Sequence, residues 1–198
     1  MKNIEEILNY DIIENVGIGD IRFGMSEKEF LELNNVKKSI QNGSLIGKVH
    51  NGYYPKDLSV SIAFNLHNIL YEISLSNNFK GKLNGKIGIG SYIGELRALR
   101  KDMAFSNDID GFLLGTGNRL QIMIDEDEYP TGEINGKFIA PPYHWYDKFY
   151  EGKLDHYKIE SISMTRWEKS DGGHFQWWCD YLENWIEPEE KYLKIRYS

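Results

Sequence analysis

Ile21-Arg22-Phe23-Gly24-Met25-Ser26-Glu27-Lys28-Glu29-Phe30 joins an extended segment to a helix start, and a fainter copy returns as Ile87-Gly88-Ile89-Gly90-Ser91-Tyr92-Ile93-Gly94-Glu95-Leu96. Both read apolar, any, apolar, Gly, four residues, Glu, apolar, and strand-like runs follow each, so one supersecondary unit is expected twice. In the first copy Ser26 is the expected N-cap, and the Glu29 carboxylate reaches back to its N–H to close a capping box. Met25 and Phe30 stand at the two positions of a hydrophobic staple. Gly24 marks the swing from strand to helix, a turn that a side chain obstructs. In the second copy Tyr92 stands at the cap position, so Ser91 is expected to cap and Glu95 to sit one place late.

Working outward, residues 4–8 read as a short helix, Glu27 to about Val36 as a helix, and Asn42-Gly43 as a hairpin turn. Leu58, Val60, Ile62 and Phe64 alternate on one face of a strand, and Ile69, Tyr71, Ile73 and Leu75 do the same after a turn. Ser59, Ser61, Glu72 and Ser74 then face water in a half-buried antiparallel hairpin. The polar stretch Asn77 to Lys86 divides the chain into a first unit, 1–80, and a second, 81–198. In the second unit a helix is expected around Gly94–Met103, a turn at Gly115-Thr116-Gly117-Asn118 and a strand at Leu120–Ile124. The partner strand, Ile159–Met164, echoes Leu70–Leu75 but is displaced by an insertion, 125–157, that holds an aromatic cluster including Tyr143, Trp145 and Tyr146. Insertions of this length in a compact domain tend to carry function. A C-terminal helix over 174–186 has apolar residues spread over roughly 200° of its circumference, wider than the stripe of about 100° that one core contact needs. Tyr192 to Tyr197 reads as an edge strand. The class is α+β: two tandem helix-plus-antiparallel-sheet units packed together, with a C-terminal amphipathic helix and edge strand.

Hydrophobic residues make up 41% of the 198, which places the chain among folded proteins that can bury a core. The single cysteine, Cys179, excludes an intramolecular disulfide and a multi-cysteine metal site within one chain. The first residues, Met1 to Asn9, offer no continuous apolar core for a signal peptide, and no stretch approaches the roughly 18 apolar residues of a membrane span. A cytoplasmic protein is expected. Residues 1–99 balance acids and bases, so the net charge of −7 resides in the other half. It concentrates between Asp102 and Glu133, where Asp108, Asp110, Asp125, Glu126, Asp127 and Glu128 are opposed by Arg119 alone. Direct nucleic-acid binding needs the opposite sign.

No catalytic signature accompanies these features. His174 lies five residues from Cys179, about 140° away around a helix, so the cysteine reads as a small buried hydrophobe rather than a nucleophile. His50, His67, His144 and His156 have no metal-ligand spacing, and no metal or other cofactor is expected. Four consecutive acids at 125–128 lack the alternation of a calcium loop. Gly17-Ile18-Gly19 and Gly115-Thr116-Gly117 lack the spacing and the lysine of a phosphate loop. Trp145, Tyr146, Trp177, Tyr181 and Trp185 are either core or binding anchors, since Tyr and Trp dominate interface hot spots.

Tyr10-Asp11-Ile12-Ile13, Gly17-Ile18-Gly19 and Ile21 to Ser26 resemble the opening of a broad group of small bacterial proteins, some of them immunity proteins in toxin–immunity loci. The Gly-Met-Ser-x-x-Glu junction and the doubled unit are also similar to the tandem modules of beta-lactamase inhibitor protein and of outer-membrane assembly lipoproteins. The likeness covers about the first 125 residues, specifies a structural junction, and carries over no catalytic residue. With no leader and no N-terminal cysteine read in its first residues, the chain is expected to depart from the secreted and lipidated members. The resemblance implies a non-enzymatic immunity protein whose partner is a toxin domain, a basic nuclease suiting the acidic charge. Asp108, Asp110, Asp125, Glu126, Asp127 and Glu128 are the expected charges, and Trp145, Tyr146 and Trp177 the expected anchors. The competing expectation is a small-ligand or housekeeping module with an aromatic-lined pocket.

Overall fold

The structure, a computed structural model, describes residues 2–49, 51–106, 111–114, 120–124, 132–134, 137–139, 152 and 154–166. Its helices are α1 (Lys2–Leu8), α2 (Glu27–Glu32), α3 (Asn34–Gln41) and α4 (Ile93–Leu99). Strands β1 (Ile12–Ile13), β2 (Gly17–Ile18) and β3 (Ile21–Arg22) form a small antiparallel sheet near the N-terminus. Eight more form one continuous antiparallel sheet: β4 (Leu45–Val49), β5 (Gly52–Pro55), β6 (Val60–Phe64), β7 (Leu70–Ser76), β8 (Ala104–Ser106), β9 (Gly111–Leu114), β10 (Leu120–Ile124) and β13 (Ile159–Thr165). A hairpin of β11 (Gly132–Ile134) and β12 (Lys137–Ile139) stands apart. The class is α+β.

The order across the large sheet is β4-β5-β6-β7-β13-β10-β9-β8, so the two copies join through their last strands. At the join Ser74 pairs with Ser163, Leu75 with Ile162 and Ile73 with Met164. Exchanging Ser74 for Ser163, Leu75 for Met164 and Ile73 for Ile162 maps this ladder onto itself, which places a pseudo-two-fold axis between the two serines. Their hydroxyls are 3.1 Å apart and hydrogen bond to one another. The correspondence extends outward: Val60 and Ile62 pair with Leu75 and Ile73 as Leu120 and Ile122 pair with Met164 and Ile162.

Both copies also carry a bulge at the same place, where the β6–β7 and β10–β13 registers step past Tyr71 and Glu160. A bulge adds one residue and reverses which residues face inward beyond it. Leu70, Ile73 and Leu75 are therefore buried, as are Ile159, Ile162 and Met164, and Ile69 and Tyr71 are not the inward pair that simple alternation predicts. Leu58 departs as well. It has a φ of 56° and is 57% exposed, lying in the turn before β6 rather than on its buried face. Ser59, expected to face water, is buried, with its N–H and hydroxyl both donating to Asp57 Oδ1.

The junctions repeat bond for bond. The N–H of Gly24 donates to Leu70 O, that of Leu70 to Met25 O, and that of Glu27 to Asn68 O. The second copy has Gly90 to Ile159 O, Ile159 to Ser91 O, and Ile93 to Tyr157 O. Gly24 and Gly90 have φ of 84° and 80°, a region in which a side chain is strained, so both copies need glycine at the swing. The first junction has the capping box that the sequence predicts: Ser26 Oγ accepts from Glu29 N at 3.2 Å, and the Glu29 carboxylate accepts from Ser26 N at 2.7 Å. The second keeps only the carboxylate arm. Tyr92, not Ser91, is the N-cap, with Glu95 in register accepting its N–H at 2.8 Å, while Ser91 Oγ accepts from Gly88 N.

Three other expectations are corrected. The helix from Glu27 does not run through to Val36; Leu33 is extended, with ψ of 131°, and separates α2 from α3, which continues to Gln41. Asn42-Gly43 closes α3 rather than a hairpin: the Gly43 N–H donates to Ile40 O from a φ of 68°, the usual role of glycine past a helix end. The helix α4 stops at Leu99 because Arg100 is extended, its guanidinium held by Glu14 (2.6 Å) and by Asp102.

Residues of both copies share one core, in which Phe30, Ile93 and Leu96 of the helices meet the inward residues of the sheet. In the first copy Phe30 packs against Tyr53 and Phe64, with ring centroids 5.3 and 5.5 Å away. The register makes Leu96, Phe112 and Ile124 the equivalents in the second copy, all buried. The stretch 77–86 separates the copies in sequence but is held by the fold, for Phe79 and Leu83 are buried, the Lys80 N–H donates to Leu8 O, and Ile12 bridges to Leu83. The expected C-terminal helix, 174–186, the edge strand, 192–197, and the turn at 115–118 lie outside the described residues.

Candidate functional site at one end of the sheet

Ser106, Gly111, Met123, Ser161 and Ser76 are successive register partners and form one row across five strands. Beyond this row the chain leaves β8 toward residue 107, enters β9 from residue 110, and leaves β10 after Ile124. The segments bearing Asp108 and Asp110 and those bearing Asp125, Glu126, Asp127 and Glu128 are thus anchored on adjacent strands, about 4.8 Å apart, at the same end. These six acids, together with Trp145, Tyr146 and Trp177, lie outside the described residues; only their anchoring strands are described.

Glu160 and Asp57 are two of the described carboxylates at this end, and Asp155, paired with Arg97, is another. Glu160 sits at the bulge of β13 and is exposed. Asp57 is exposed as well, beside the end of β7: its backbone carbonyl accepts from the Asn77 side chain at 2.7 Å and its carboxylate from the Asn78 side chain at 3.1 Å. Burial of its oxygens works against ionisation, but hydrogen bonds from Ser59 and Asn78 outweigh it and hold the carboxyl below its ordinary range, so it stays charged. Sequence reasoning missed both. The apolar spacing Ile159, Ile162, Met164 signals the bulge, because only an extra residue puts positions three apart on one face.

The return from the insertion is fixed to the framework. Leu154 and Tyr157 are buried, the Gly94 N–H donates to Asp155 O, and the Asp155 carboxylate accepts from Arg97 Nε at 2.8 Å. A Cβ at Gly94 would lie 3.1 Å from that of Asp155, so the segment is seated on the start of α4. Lys158 lies 5.8 Å from the Tyr92 ring centroid, a cation–π contact that keeps one positive charge nearby. His156 is exposed and stacks on Tyr157, with ring centroids 4.5 Å apart.

The opposite end, which the pseudo-axis relates to this one, is different. A tight turn over 65–69 closes the β6–β7 hairpin, with Leu66 fully in solvent and the Asn65 side chain accepting from His67 N and Ile69 N. Near it Glu27 accepts from Tyr53 Oη at 2.6 Å and Lys48 Nζ at 2.9 Å, which lower its pKa below the ordinary 4.5. The Tyr53 hydroxyl is pushed well above its ordinary value by burial and by Glu27. Arg166, at the end of β13, lies here too, 3.4 Å from Phe23 O.

Among the described residues no three His, Cys, Asp or Glu side chains gather as a metal site, and no helix is long and apolar enough to cross a membrane. His50, His144, His174 and Cys179 lie outside them. No family model, curated protein or solved structure matches this chain.

Proposed function

We propose that this chain is a non-enzymatic, cytoplasmic immunity-type protein that binds a toxin domain through the acidic end of its sheet, the partner being a cationic domain such as a basic nuclease. One observation carries the reading: the row Ser106, Gly111, Met123 and Ser161 anchors both acid-bearing segments at the same end, where Glu160 and Asp57 add charge. A surface of this sign suits the cleft with which a nuclease holds phosphates, steering association and excluding substrate together. At one nuclease–inhibitor interface close charge pairs couple by about 1.5–7 kcal/mol, so a few such pairs can decide affinity. Trp145, Tyr146 and Trp177 are the proposed anchors, in keeping with the enrichment of these residue types in hot spots.

Co-expression with the toxin domain encoded beside its gene tests the reading. The natural chain is expected to restore growth, and a chain carrying Asp125→Asn, Glu126→Gln, Asp127→Asn and Glu128→Gln is expected to fail. Equal rescue by both, or none by either, overturns it.

A further inference from the structure

The outer face of the large sheet is lined at its centre by small side chains. Ser61, Ser74, Ser163 and Gln121 form one row across β6, β7, β13 and β10, with Ala63 and Ser161 beside it. Serine is a poor strand former, so a run of it on a central face calls for a reason beyond propensity. Small residues leave room for large ones laid over them. The hydroxyls at the axis are already engaged, Ser74 with Ser163 and with Glu72 (3.0 Å), and Ser76 with Leu58 O (2.9 Å), so these three serines can be covered with their hydrogen bonds kept, and the polar ends of the covering side chains would meet Glu72 and Gln121.

We propose that the chain's own residues 175–186 cover this face, packing as a helix with their aromatic side chains over the Ser74–Ser163 axis. Three observations point to this occupant. The described chain ends beside the face: the Arg166 N–H still donates to Tyr71 O at 2.7 Å, so residues 167–198 continue from the second of the two central strands. Thr165, at that exit, is buried on the outer face, whereas Ser61, Ser74, Ser163 and Gln121 of the central row are half-exposed. The arc of Trp177, Trp178, Tyr181, Leu182 and Trp185 is too wide for one contact and supplies the bulk that the serines lack. Twelve helical residues reach about 18 Å, enough to span three or four strands at about 4.8 Å each, and Glu168 to His174 supply a polar link. The inference is independent of the acidic-end reading and concerns the chain without a partner.

In a chain carrying Trp145→Phe and Trp167→Phe every remaining tryptophan lies at 177, 178 or 185, so emission reports on this segment alone. Adding Ser74→Arg and Ser163→Arg sets two long cations under the helix, and a red shift with increased acrylamide quenching is expected. Independently, a Ser163→Cys chain treated with a short bismaleimide is expected to cross-link internally to Cys179 faster than a Lys38→Cys chain, because Lys38 is exposed on α3 in the helical layer. Unshifted emission from the folded double-arginine chain, or cross-linking at position 163 no faster than at 38, overturns the proposal. Either failure leaves the growth-rescue test of the acidic end unaffected.

Discussion

The two copies keep the same junction, bulge and strand register, and differ in what fills the space between them. Copy one retains α3, the helix on which α1 packs, and closes its last hairpin with residues 65–69. Copy two goes from Leu99 into β8 without a second helical segment, and between Ile124 and Ile159 it carries the insertion. Its residues 154–158 occupy the place of 65–69, since Tyr157 O and Asn68 O accept equivalent helix N–H groups. The added material is therefore 125–153, placed where the scaffold tolerates it because the hairpin register on either side is held by the central ladder. A duplicated frame thus leaves one end free to diverge in charge while the other stays a tight turn.

The core equivalences are the first place to break that comparison. Phe30 is fully buried among aromatic rings, and Phe30→Ala is expected to cost about 3–5 kcal/mol; Leu96→Ala, its counterpart, about 2–5 kcal/mol. Because both copies share one sheet and one core, denaturant unfolding should remain a single transition in each variant. Two separable transitions would show that the copies fold as independent bodies.

A polar exchange between the copies sharpens it. Glu27 and Tyr53, bonded at 2.6 Å, correspond to Ile93 and Phe112, so copy two has lost the hydroxyl and the carboxylate together. Glu27→Ile should cost about 1–3 kcal/mol by leaving the Tyr53 hydroxyl without its partner, and Tyr53→Phe about 0.5–1.5 kcal/mol because Glu27 keeps Lys48, whereas the double replacement should cost less than the two together. Additive costs in a double-mutant cycle would deny the equivalence. The smallest effect concerns the caps. Tyr92→Ser gives copy two the hydroxyl that copy one has, and a gain of about 0.5 kcal/mol in chemical denaturation is expected after loss of the Lys158 contact is set against it. Destabilisation would show that Tyr92 does more than open the helix.

Much of this frame was legible in the sequence because local chemistry determines it. The Gly24 swing, the Ser26–Glu29 box and the displaced strand Ile159–Met164 are each set by residues close together in the chain or by a repeated pattern. The bulges broke the alternation that the strand reading assumed; the spacing Ile159, Ile162, Met164 carries the signal of one, and the pairing registers fix where each falls. The early stop at Leu99 goes with a contact of Arg100 to Glu14, far back in the chain, that no short window contains. The shared sheet was hidden for the same reason, being a pairing between Ser74 and Ser163, far apart in sequence. The acids were legible as a composition, but that the chain runs on to them from the same end of adjacent strands depends on β8, β9 and β10 lying side by side, and Glu160 and Asp57 emerge only from the folded sheet.

The most direct test of the claim that the diverged end is the binding end is the association rate with the toxin domain as salt is varied. Comparing the natural chain with the one neutralised at residues 125–128, the account predicts association slower by about tenfold or more at low salt, the two rates converging as salt screens the charges. Equal rates with equal salt dependence would contradict it.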